Sequence, residues 1–264
     1  MIRIRHLFIY PVKSCAAQEV QALSFDDYGP VGDRRYMLTD KQGQFLTQRT
    51  LPRMACIVPQ LLSGGLLLTA EGMSPLMVAD RDIQGISNVR VWRDEVQAGD
   101  CGDEAAGWFS CFLGRSCRLV KLLPQTRRQI DPDYAGHGEW VSFADGFPLL
   151  ITSESSLNAL TAEAGHALDM LRFRPNIVVD GNEPFAELGW RRLLHESGEL
   201  LTCKPCERCV IPTRNPQTQE REPEVLNALK TLCRIDGKII FGQNALNRGI
   251  RQLQTGDPLR PCSE

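Results

Sequence analysis

Residues 202–216 read TCKPCERCVIPTRNP. Three cysteines stand three residues apart in this stretch, between a strand-like run and a loop broken by proline: Cys203, Cys206 and Cys209. Thiolates bind soft metals strongly, and the pKa of a thiol falls when a cation such as Lys204, Arg208 or Arg214 points towards it. The spacing leaves three hypotheses open: a zinc or iron–sulfur site, a redox pair, or one metal-ligating cysteine beside two bystanders.

The composition is that of an ordinary globular protein. The chain has 264 residues, of which 42% are hydrophobic and 23% charged, and its formal net charge is −2. Nucleic-acid binding usually needs a strongly positive surface, so no nucleic-acid partner is expected. This length suits one large or two modest domains. Because residues 124–138 are polar and rich in turn-forming residues, we predict two domains, at 1–120 and 121–264.

The sequence predicts a cytoplasmic protein without a membrane span. The apolar run at residues 7–12 is too short for a signal-peptide core, and no window approaches the ~18 apolar residues of a membrane helix. The ten cysteines are scattered apart from the one cluster, and no secretory signal accompanies them. Most of them are therefore expected to be reduced and to act as small buried hydrophobic residues.

The coarse secondary-structure pattern is mainly β with some α, an α+β chain. Short alternating runs separated by turns before residue 93 predict a small antiparallel sheet or barrel. Residues 103–114 predict a helix that buries Trp108, Phe109, Phe112 and Leu113 and ends at Gly114. Further strands are expected at 118–123, 177–179 and 250–253, and a further helix at about 223–234.

Two segments have the residues of an anion site. Residues 148–157 run from an apolar strand into a hydroxyl-rich helix start, with Ser153 as the candidate N-cap. The N–H groups of a helix start suit a phosphate, although an ordinary capped helix would explain the same residues. Residues 172–176, RFRPN, place two arginines and an asparagine before a buried strand, and such side chains hold phosphates and heterocycle edges.

Six motifs in this order resemble the MOSC family, named for the C-terminal domain of the molybdenum cofactor sulfurase. They are YPVKSC (10–15), GDRRYML (32–38), SFADGFPLLITSESSL (142–157), RFRPNIVV (172–179), KPCERC (204–209) and FGQN (241–244). The match spans nearly the whole chain and is most similar to the amidoxime-reducing branch. It implies a β-barrel MOSC domain preceded by a β-rich N-terminal MOSC domain.

The resemblance also implies a molybdenum–molybdopterin cofactor between the two domains. Cys209 would be the metal ligand and catalytic residue, with Arg208 contacting the cofactor and Cys206 only a neighbour. The other implied cofactor contacts are Lys13, Ser14, Arg34, Thr152, Ser153, Glu154, Arg174, Asn176 and Asn244.

The implied activity is reduction of small N-hydroxylated compounds, namely amidoximes, hydroxylamines and N-hydroxylated bases, without pyridoxal phosphate. Because no ferredoxin-type C-x4-C-x2-C segment is present, electrons are expected from a separate ferredoxin- or flavin-type reductase. One departure concerns the loop after Cys209. The amidoxime reducers usually carry two threonines and V-D-P there, whereas this chain has VIPTRNP, with Arg214 and Asn215 expected to alter the charge near the metal.

Two alternatives remain. The first is a molybdenum cofactor-binding or sulfur-carrier protein without N-reductase activity. The second is a zinc or iron–sulfur site on the three clustered cysteines, with Cys233 or Cys262 as the fourth ligand. The second is disfavoured because the paired C-x2-C spacing of structural zinc is missing and Thr213 stands where the bacterial ferredoxin pattern needs a cysteine.

Overall fold

The computed structural model describes residues 1–263, which fold as a mainly β protein with three α-helices. The strands of the first half are β1 (Ile2–Ile9), β2 (Gln18–Val20), β3 (Ala22–Asp26), β4 (Gly29–Pro30), β5 (Tyr36–Thr39), β6 (Val58–Leu62), β7 (Gly65–Thr69), β8 (Leu76–Ala79), β9 (Gly85–Val91), β10 (Asp94–Asp100) and β11 (Arg118–Leu122). Those of the second half are β12 (Leu149–Ser153), β13 (Ile177–Asp180), β14 (Arg192–His195), β15 (Gly198–Glu207), β16 (Arg234–Ile235), β17 (Lys238–Arg248), β18 (Gln252–Gln254) and β19 (Pro258–Cys262). The helices are α1 (Gly102–Leu113), α2 (Glu154–Ala164) and α3 (Pro223–Leu232).

Seven strands form a closed barrel in the order β12-β13-β1-β19-β14-β15-β17, and β17 pairs again with β12. The β12–β13 pair is parallel and the others are antiparallel. Closure removes the unpaired edges that an open sheet would present. Fully buried aliphatic side chains from several strands pack into one core, among them Leu7, Ile151, Ile177, Leu193 and Leu200.

The first strand belongs to this barrel although it opens the chain. β1 lies antiparallel to both β13 and β19, with Leu7 opposite Ile177. Alternation of apolar residues predicts a strand but does not say which partner it pairs with, because the partner lies more than 160 residues away. The domain boundary at residue 120 stays a prediction.

Most of the remaining strands of the first half form two smaller antiparallel sheets, β5-β11-β10-β9 and β6-β7-β8. β2 pairs with β1, and β3 and β4 form a third small sheet with β18. Helix α1 packs on them through buried Phe109 and Phe112, and it ends at Gly114, whose φ of 62° is left-handed. The mainly β fold, the helix and its stop residue are therefore as predicted. The structure also contains β19, which the sequence did not predict because its segment PLRPC has two prolines and little alternation.

Short connections bring the ends of elements from both halves to one place. The loop at residues 142–147 leads into β12, and the loop after β15 carries Cys209 into a short 3-10 helix at Ile211–Thr213. No helix within residues 1–263 has the length and apolar character needed to cross a membrane. The cytoplasmic location stays a prediction.

Candidate cofactor site

A cavity of about 160 Å³ lies where the two halves meet. Its lining includes eight of the eleven residues implied by the resemblance: Lys13, Ser14, Arg34, Arg174, Asn176, Arg208, Cys209 and Asn244. These residues come from five separate segments between positions 13 and 244. The fold thus brings together residues that are far apart in the chain.

Cys209 is exposed at this cavity, two residues after the end of β15. The guanidinium group of Arg49 lies near its thiol. Burial lowers the pKa of Arg49, but the nearby Asp145 and Cys209 outweigh burial and raise it. Arg49 therefore places a permanent positive charge beside the sulfur.

The other two cysteines of the cluster have different contacts, although Cys206 also lines the cavity. The Cys203 thiol donates to the backbone oxygen of Asn244 at 3.4 Å, and the Cys206 sulfur accepts from Arg208 Nη1 at 3.0 Å. Within residues 1–263, no three His, Cys, Asp or Glu side chains are grouped as a metal-binding set. The geometry therefore favours a single ligating cysteine over a three-cysteine zinc or iron–sulfur site.

Lys13 is buried in the cavity wall beside Asp145. Its Nζ donates to the backbone oxygen of Phe143 at 2.7 Å and to Asp145 Oδ1 at 2.5 Å. Burial lowers the pKa of Lys13 to about 8, even though the Asp145 carboxylate favours the charged amine. Burial would raise the pKa of Asp145, but Lys13 and Arg49 together hold it well below its usual range. The ionised carboxylate of Asp145 therefore holds two cations, Lys13 and Arg49, at the cavity.

Two arginines hold the ring of Tyr10. The guanidinium carbons of Arg34 and Arg174 lie 4.3 and 4.2 Å from its centroid, which is cation–π distance. Arg34 Nη1 also donates to Asp33 Oδ2 at 2.7 Å, while Arg174 Nη1 donates to the backbone oxygen of Cys15 at 2.7 Å. Burial lowers the pKa of Arg174 to about 10, so it remains charged at neutral pH.

Three cavity residues have left-handed backbone conformations that favour glycine. The φ angles are 68° at Ser14, 48° at Arg34 and 57° at Arg174. Each such residue costs on the order of 1–3 kcal/mol and persists only where its surroundings impose it, which happens most often at functional sites. Their grouping around one cavity is a sign of function that is independent of charge.

The two asparagines of the cavity have mainly structural bonds. Asn176 is buried, and its amide bonds Arg34, Asp33 and the backbone of Leu150 and Phe8. Asn244 Nδ2 donates to the backbone oxygen of Lys204 at 3.1 Å, which fixes β17 against β15. In these positions Asn176 orients Arg34, and Asn244 supports the wall beside Cys209.

The donor set fits an anionic group that carries a metal. Two carboxylates line the cavity, those of Asp145 and Glu207. Five cationic side chains line it as well: Lys13, Arg34, Arg49, Arg174 and Arg208. Two buried donors of lining residues, Gln48 Nε2 and Arg208 Nε, have no hydrogen-bond partner within the described chain. Such donors are costly to bury unless a ligand satisfies them. With an exposed thiol at the same cavity, these groups could hold a phosphorylated pterin and its metal.

Three predicted residues lie outside the cavity: Thr152, Ser153 and Glu154. Ser153 is the N-cap of α2 as predicted and accepts from the backbone N–H of Ser156 at 3.3 Å. Thr152 is buried and donates to the sulfur of Met170 at 3.3 Å, and Glu154 lies 3.4 Å from His6 Nε2. Their contact with a cofactor stays a prediction.

The sequence analysis missed Arg49, Gln48 and Asp145. Asp145 lies inside the SFADGF motif at residues 142–147, which was the available signal for it. No sequence pattern singles out Gln48 or Arg49, because they reach the cavity only through the fold.

The loop after Cys209 does not place its polar side chains at the cavity. Ile211 lines the cavity, whereas Arg214 Nη1 donates to the backbone oxygen of Gln219 at 2.7 Å and Asn215 Nδ2 donates to Glu222 at 2.8 Å. Both polar side chains stabilise their own loop. Neither lines the Cys209 cavity, where they were expected to change the charge.

Comparison with known proteins agrees with this arrangement. The MOSC N-terminal beta barrel domain matches residues 1–116, and the MOSC domain matches residues 138–260. Mitochondrial amidoxime reducing component 2 of Rattus norvegicus is 31% identical over 97% of this chain and 82% of its own length. Component 1 of Mus musculus is 32% identical over 97% of this chain and 81% of its own. Molybdenum cofactor sulfurase of Drosophila grimshawi is 33% identical over 97% of this chain, which matches 34% of that longer protein. The chain therefore belongs to the MOSC family, with an N-terminal MOSC domain followed by a MOSC domain.

Proposed function

We propose that this protein is a molybdenum cofactor-dependent oxidoreductase that reduces N-hydroxylated compounds. The observation that carries the proposal is the exposed thiol of Cys209 at a cavity with five cationic side chains contributed by both halves. The similarity to two amidoxime reducing components supports the reaction class. A separate ferredoxin- or flavin-type protein would supply the electrons.

The residues of the cavity have distinct roles in this proposal. Cys209 would bind molybdenum through its sulfur, and Arg49 would place a positive charge beside that sulfur. Lys13, Arg34 and Arg174 would neutralise the phosphate of the pterin. The bound cofactor would supply the two-electron chemistry that removes oxygen from an N–OH group. The protein would supply orientation, charge neutralisation and a metal ligand.

The test compares two cysteine variants in the cofactor-loaded protein. With an artificial electron donor, the wild-type protein is expected to reduce benzamidoxime to benzamidine, and Cys209→Ser is expected to reduce the rate to background. Cys206→Ser is the matched control, since its sulfur lies three residues away and bonds Arg208. Full activity of Cys209→Ser at normal molybdenum content would refute the proposal.

A second candidate is a cofactor-binding or sulfur-carrier protein without reductase activity. The similarity to a molybdenum cofactor sulfurase over nearly the whole chain favours it. It predicts that the purified protein holds molybdopterin and yet does not reduce benzamidoxime with artificial donors. The same assay therefore separates the two candidates.

A further inference from the structure

A larger groove adjoins the Cys209 cavity. Its volume is about 790 Å³, and it shares Asp145, Gly146 and Phe147 with the cavity. Sites for small organic molecules typically measure roughly 300–1,000 Å³. The cavity beside the thiol is assigned to the cofactor, whereas the adjoining groove is large enough for a small organic substrate.

Aromatic rings dominate the apolar surface of the groove. Phe45, Trp92 and Phe147 line it, and the rings of Phe45 and Trp92 lie 4.9 Å apart. Trp92 remains 43% exposed, which is unusual for the largest apolar side chain. An exposed indole beside a second ring offers a surface on which a flat π-system can stack.

Trp92 is held in an unfavourable backbone conformation. It lies at the tip of the hairpin between β9 and β10 with a φ of 56°, a left-handed value that suits glycine or asparagine. Its Nε1 donates to Asp145 Oδ1 at 3.2 Å, and the guanidinium carbon of Arg49 lies 4.9 Å from its ring centroid. The indole is therefore anchored to the same two residues that contact Lys13 and Cys209.

The charges of the groove are balanced. Its lining has three carboxylates, which are Asp94, Asp131 and Asp145. It also has three cations, which are Arg93, Arg128 and Lys204. Arg128 is already paired with Asp94 at 2.7 Å, and Asp145 with Lys13 at 2.5 Å. The lining has no excess of either charge that would favour an anionic or a cationic ligand, so we expect stacking to be the main source of affinity.

We propose that this groove binds the organic part of the substrate, that its preferred substrates are flat, uncharged aromatic N-hydroxylated compounds, and that Trp92 determines this preference. The inference rests on the proposed function. In this arrangement the aromatic ring stacks against Trp92 and the N–OH group extends past Asp145 and Gly146 towards Cys209.

The experiment measures kcat and KM of the cofactor-loaded protein for benzamidoxime and for acetamidoxime, its counterpart without a ring. Trp92→Ala is expected to raise the KM for benzamidoxime about tenfold through loss of stacking. Its kcat and both constants for acetamidoxime are expected to stay the same. Trp92→Phe keeps a ring but loses the N–H donor to Asp145, so its KM should remain near the wild-type value. Trp92→Asn suits the left-handed backbone and should show the tenfold effect in a stably folded protein.

A binding measurement separates this inference from the proposed function. Benzamidoxime should quench the tryptophan fluorescence of the wild-type protein more than that of Trp92→Phe, and acetamidoxime should quench neither, even if no turnover occurs. Equal changes in KM for both compounds, no change for either, or quenching that is the same in Trp92→Phe would overturn the assignment. Loss of bound pterin from Trp92→Ala would also overturn it, since the groove would then hold the cofactor.

Discussion

At the scale of single residues, Lys13 shows how the cavity depends on charge. Its amine is buried, and burial lowers its pKa to about 8 despite the Asp145 carboxylate at 2.5 Å. The amine is charged below that pH and neutral above it. The cavity therefore loses one positive charge as the pH rises through about 8. Any anion that Lys13 binds will raise this pKa and move the loss to higher pH.

This titration predicts that cofactor retention depends on pH. Wild-type protein is expected to keep its bound pterin on dialysis at pH 7 and to lose part of it at pH 9, where Arg174, with a pKa of about 10, stays mostly charged. Lys13→Arg should keep equal amounts at both values, because a guanidinium group stays charged. Bound pterin is measured by the fluorescence of its oxidised form. Equal retention of pterin by the wild-type protein at the two pH values would contradict the predicted role of Lys13. The same loss of pterin from the arginine variant would also contradict it.

At the scale of elements, closure of the barrel depends on the approach of β12 to β17. Gly242, within β17, has a φ of 81°, and a Cβ there would lie 2.7 Å from the backbone oxygen of Ile151 in β12. The same strand pair carries Asn244 beside the cavity. Only glycine combines this backbone conformation with so close a neighbour.

Gly242→Ala is therefore expected to destabilise the fold. The matched control is Gly237→Ala, since Gly237 has a φ of 80° but a Cβ added there would have no heavy atom within 4 Å. Both variants strain the left-handed backbone, and the steric clash should cost Gly242→Ala roughly a further 1–3 kcal/mol. Urea unfolding gives both free energies. Equal losses in the two variants would show that the close approach of the strands contributes nothing.

Local elements could be predicted from the sequence because their signals are local. Gly114 ends α1, Ser153 caps α2, and apolar residues mark β11 and β13. Strand partners could not be predicted in this way, since the pairing of β1 with β13 depends on segments far apart in the chain.

The same distinction applies to the candidate site. Residues in recognisable motifs could be predicted, whereas residues that reach the site only through the fold could not. Eight residues that the resemblance implies lie at one cavity, among them Arg34 and Arg174, whereas Arg49 was missed because it approaches Cys209 across 160 positions of sequence. The Ser153 segment has the pattern of an anion site, yet its side chains are used in capping and packing.

At the scale of the whole molecule, the site exists only where the two halves meet. Lys13, Arg34 and Arg49 come from the first half, and Arg174, Arg208 and Cys209 from the second. Neither half alone provides both the thiol and all of the cations. The central claim is that a cofactor held between these halves has its metal bound by Cys209.

X-ray absorption at the molybdenum edge of the loaded protein tests this claim most directly. The wild-type spectrum should contain one sulfur neighbour more than that of Cys209→Ser, while Cys206→Ser should match the wild type. Identical sulfur counts in the wild-type and Cys209→Ser proteins, at equal molybdenum content, would contradict it.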